Sequence, residues 1–145
     1  MDKGDWSAIS NQLRRIHPVM EKKVNTFEDT LDQATDAAKA CDPEGVCQAI
    51  DACKLSIALC SDIEHLIAVG IISTDGFKEG IEEYSTGRFH DIFLKFSACL
   101  NKEVEGQIMA NLIEHASELD RKWQRRLVSF ALEVRQLETD RQSPR

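Results

Sequence analysis

Apolar residues recur along this chain at steps of three and four, the period of helices that bury one face. The first stripe runs through Trp6, Ile9, Leu13, Ile16, Met20, Val24, Phe27, Leu31, Ala34, Ala38 and Cys41. It predicts one long helix over 5–41, roughly 55 Å from end to end at ~1.5 Å per residue. Pro18 lies inside it and removes a backbone donor, so a kink is expected there. Because the stripe keeps its phase, a kinked helix is favoured over two helices meeting at His17.

Asp42-Pro43-Glu44 reads as a helix start, with a capping carboxylate, a proline at the first position and an acid in the first turn. The segment 43–69 then carries two apolar stripes, Val46-Ile50-Cys53-Ile57-Cys60 and Ala49-Ala52-Leu59-Ile63-Leu66. That pattern predicts a central helix with partners on two sides, stopped by Gly70. Two short helices are expected next. One spans 74–85, capped by Ser73-Thr74-Asp75 and closed by Ser85-Thr86-Gly87. The other spans 88–101 and is rich in phenylalanine. A last stripe, Val104 through Leu112, Leu119, Trp123, Leu127 and Phe130 to Leu137, predicts a second long helix over 102–139. No segment alternates with the period of a strand. The expectation is an all-α bundle of about five helices forming one domain over 1–145, with 1–4 and 140–145 frayed.

Composition narrows the functional classes. The 145 residues are 42% hydrophobic and 30% charged, enough for a core and a polar surface, and far from a disordered chain. A net charge of -7 argues against a nucleic-acid binder acting through overall charge. The opening Met1–Asp5 carries acids and no apolar run, and the longest apolar stretch is broken by Gly70, so neither a leader nor a membrane span is expected. The five cysteines are read as small core residues without a disulfide framework, which places the protein in the cytoplasm.

Candidate chemistry is sparse. His17, His65, His90 and His115 are dispersed singly, and Cys41 and Cys47 lack metal-knuckle spacing. No nucleophile elbow or phosphate-binding glycine loop is present. No catalytic residue, metal or cofactor is therefore assigned, and the protein is read as a non-enzyme.

One constellation stands out. Arg121, Lys122, Arg125 and Arg126 surround Trp123, while Arg14, Arg15, Lys22 and Lys23 flank Pro18. If the two long helices lie antiparallel, these eight cations form one belt in which Glu21 is the only acid. The leading expectation is an interaction module, an adaptor or regulator that docks another protein, such as an acidic or helical segment, on its long helices. The alternative is a polyanion-binding module using the belt on nucleic acid, an anionic lipid head group or a phosphopeptide. The third is a bundle with an internal small-molecule or metal site. Self-association is compatible with all three.

Overall fold

The computed structural model describes residues 6–73, 76–98 and 101–142. Six helices follow one another: α1 (Trp6–Ile16), α2 (Pro18–Lys39), α3 (Glu44–Ala68), α4 (Phe77–Phe96), α5 (Lys102–Ala116) and α6 (Arg121–Gln142). No strand occurs among the described residues. The all-α expectation holds, while the helix count and three of the boundaries change.

The first change is at Pro18, which breaks the helix outright. His17 is extended (φ -168°, ψ 147°), and its Nδ1 accepts a hydrogen bond from the backbone N–H of Val19. Pro18 then opens α2, where its missing donor costs nothing. α1 folds back on α2, so the Trp6 indole N–H donates to Glu28 over 2.8 Å. In one straight helix those residues would lie about 33 Å apart.

The second change lies at residues 117–120, where the expected C-terminal helix turns back. Leu119 N–H bonds to the Ala116 carbonyl in a tight turn, and the Asp120 carboxylate caps α6 by accepting from Trp123 N–H at 3.0 Å. A Glu105–Arg135 ion pair of 2.8 Å sets α5 and α6 antiparallel. α6 runs to Gln142, into the segment expected to fray.

The third change is a fusion. The two short helices are one, because α4 passes through Ser85-Thr86-Gly87 without a break. Ser85 occupies the core stripe between Ile81 and Phe89, and its hydroxyl pairs with that of Ser56 at 2.8 Å in the interior. Burial along this stripe outweighs the cost of about 1 kcal/mol for an interior glycine. The helix begins after Gly76 (φ 82°), which holds the N-cap position with no side-chain hydrogen bond of its own. Thr74 and Asp75 lie outside the described residues, as do residues 1–5, Cys99, Leu100 and 143–145.

The boundaries of α3 follow the sequence. The Asp42 carboxylate accepts from Glu44 N–H at 3.0 Å. Gly70 (φ 81°) closes the helix in a Schellman turn, with its own N–H on Ile67 and the Ile71 N–H on Leu66. α2 ends in the same motif, with Cys41 at φ 61° in the position glycine usually takes. Cys41 is disulfide-bonded, a correction to its reading as a core residue. α2 stops at Lys39, so Cys41 leaves the buried stripe and lies half-exposed in the turn. Cys47, Cys53 and Cys60 are free thiols.

The core runs through all six helices, with Phe27, Phe89, Phe93 and Phe96 as its largest fully buried rings. α3 packs on α2, α4 and α5, with most of both apolar stripes buried and Ile57, Cys60 and Leu66 partly exposed. Gly45 permits a close approach of α3 to its neighbours, since an added Cβ would meet the Ala34 carbonyl, Ala37 and Phe96 at 3.2 Å each. α4 stands between α2 and α6, packing on both.

Candidate docking surface on helix α6

α6 is anchored by one face. Trp123, Leu127, Ala131 and Val134 are buried, and Trp123 sets its ring edge-on to Phe89 of α4 at 5.4 Å. Arg126 lies over the other side of that indole, 4.7 Å from its centroid, and reaches Thr86. Lys122 pairs with Glu82 of α4, and Glu133 meets His90 at 3.1 Å. These contacts fix which way the helix faces.

The opposite face is left uncovered. Val128 and Leu132, one turn apart, are 37% and 48% exposed, and with Gln124, Arg125 and Ser129 they line a shallow groove. Arg125 and Arg121 continue the stripe toward the start of the helix, and no ion pair or hydrogen bond within the described residues engages either side chain. Ile113 of α5, 74% exposed, lies level with Leu127 and Val128 in the register set by Glu105 and Arg135.

The eight cations do not form one belt. Arg14 is held by Glu28 and Asn25 in the α1–α2 hairpin, and Lys23 by Asp62 of α3 at 2.8 Å. Arg15 and Lys22 are exposed, and no side-chain partner engages either among the described residues. α6 packs on α4 and α5, whereas α1 and α2 pack on each other and on the far side of α4. The expected seam required two unbroken antiparallel helices, and both fold back. The cations therefore form two patches, and Trp123 is buried against α4.

The remaining clefts offer less chemistry. One of about 250 Å³ between α3, α4 and the start of α6 is lined by Ser56, Cys60, Lys78, Glu82, Lys122 and Trp123. Its cations are already paired, Lys78 with Glu64 and Lys122 with Glu82. Burial pushes the Cys60 thiol up to about 11, so it is protonated and weakly nucleophilic at neutral pH. Among the described residues no three His, Cys, Asp or Glu side chains converge as a metal site would require. No described helix is long and apolar enough to cross a membrane.

Compared with models of protein families, with curated proteins and with solved structures, the chain matches none.

Proposed function

We propose that this protein is a non-enzymatic interaction module, an adaptor or regulator, and that the outer face of α6 is where it docks another protein. One observation carries the reading. Val128 and Leu132 are exposed on a helix whose opposite face is anchored by Trp123 and Leu127, beside two arginines with no partner among the described residues. Apolar side chains at this spacing on a rigid helix suit helix-on-helix recognition, and leaving them exposed contributes nothing to the fold. The polyanion reading has less support, because it drew on eight cations sharing one seam.

The test is the double variant Val128→Ser/Leu132→Ser in the full chain. Melting should be unchanged while specific partners captured by the parent protein are lost. Capture of the same partners by both proteins would remove this face from the reading.

A further inference from the structure

We propose that the occupant of this face is an acidic amphipathic helix of a partner protein, an inference that rests on the interaction-module reading above. The exposed stripe consists of Arg121, Arg125, Val128, Leu132 and Arg135, with no acid along it. Of the acids on the flanks of α6, Glu133 is engaged by His90 and Asp140 by Gln136 at 3.0 Å. Arg135 is neutralised by Glu105, so uncompensated charge gathers at the other end, on Arg121 and Arg125. In a chain of net charge -7 this is a local inversion of sign, and it selects for carboxylates.

The spacing sets the form of the ligand. A helix laid along α6 covers Val128 and Leu132 with apolar residues three or four apart, matching ridge to groove. Carboxylates one and two turns from those anchors then meet Arg125 and Arg121. A second copy of this chain is a poorer occupant. Pairing α6 with α6 antiparallel about Val128 and Leu132 sets Arg125 of one copy opposite Arg135 of the other and Arg121 opposite Thr139, so neither arginine meets a carboxylate.

The probes are three synthetic 18-residue helical peptides, labelled and titrated by fluorescence anisotropy against the full-length protein. The first has leucines at helical spacing and glutamates flanking them at one end. The second replaces those glutamates with lysine, and the third replaces the leucines with serine. Only the first should bind. Arg121→Ser/Arg125→Ser should weaken it about tenfold at low salt, as expected for two exposed charge pairs, and the difference should shrink in 0.5 M NaCl. Val128→Ser/Leu132→Ser should abolish binding, with all variants checked for unchanged melting.

Equal binding of the acidic and lysine peptides, or no effect of the arginine changes, overturns the inference. A dimer that Val128→Ser/Leu132→Ser dissolves in sedimentation overturns it in favour of a second copy. Binding to phosphatidylserine vesicles without peptide binding overturns it in favour of a lipid surface. If Val128→Ser/Leu132→Ser loses captured partners while the acidic peptide fails to bind, the acidic helix is ruled out and the interaction module stands.

Discussion

The indole of Trp6 lies face to face on the ring of Tyr84, with centroids 4.7 Å apart and planes 8° from parallel. Phe27 meets both rings edge-on, at 5.5 and 6.3 Å. Three helices are joined by this cluster, and it forms only because α1 folds back at His17. Trp6 is also nearly fully buried.

Trp6→Ala should therefore cost roughly 3–5 kcal/mol, the range for truncating a large buried aromatic. Urea unfolding followed by far-ultraviolet circular dichroism measures it. A midpoint equal to that of the parent would mean that α1 does not close the core.

Two glycines should respond to the same substitution with opposite signs. Gly87 lies exposed inside α4 with nothing within 4 Å of an added Cβ, so Gly87→Ala should stabilise by about 0.5–1 kcal/mol through helix propensity. Gly45→Ala must push apart Ala34, Ala37 and Phe96, and should destabilise by about 1–3 kcal/mol. Thermal melting of the two variants against the parent is sufficient. Stabilisation by Gly45→Ala would show that α2 and α3 are less tightly joined than this.

The same contacts explain how far the sequence could be read. The stripes marked the buried residues well, because a helical period records which side faces the core. They did not mark the turns at His17 and Asp120. Both arms of a helical hairpin face one core, so the stripe keeps its phase through the break. The stops had to be read from short-range chemistry, from His17 before Pro18 and from Asp120 three residues before Trp123. Ser85 misled in the other direction: a serine in a polar triplet suggests a turn, but its buried partner Ser56 is 29 residues away in sequence. The candidate face was partly visible. Arg121 and Arg125 stood among the expected binding residues, whereas Val128 and Leu132, lying off the main stripe at helical spacing, were the missed signal. Which cations share a surface depends on which helices pack together, and no local pattern encodes that.

One buried thiol and one half-buried thiol give the fold an alkaline limit. Burial pushes Cys53 up to about 12 and Cys60 up to about 11, from an ordinary value of 9.0. A raised folded value means that the folded state holds its protons longer than the unfolded chain. The associated stability is fully present below about pH 9 and is lost as pH climbs toward 11 and 12. The urea midpoint should fall over that interval, and Cys53→Ala should reduce the slope even though its cavity lowers the midpoint throughout. A slope identical in the variant would show that Cys53 ionises as freely folded as unfolded.

The arginines of α6 separate into two kinds that a single measurement can tell apart. Arg126 covers the Trp123 indole at 4.7 Å, and its stem shields a ring that is only 3% exposed. Arg126→Ser removes a cation–π contact and apolar cover together, and should destabilise by about 0.5–2 kcal/mol. Arg121 and Arg125 touch no partner among the described residues, so Arg121→Ser/Arg125→Ser should leave stability within about 0.5 kcal/mol of the parent. Chemical denaturation of both variants makes the comparison. If the Arg121/Arg125 variant lost as much stability as Arg126→Ser, those arginines would belong to the fold, and their exposure could not be read as a surface kept for a partner.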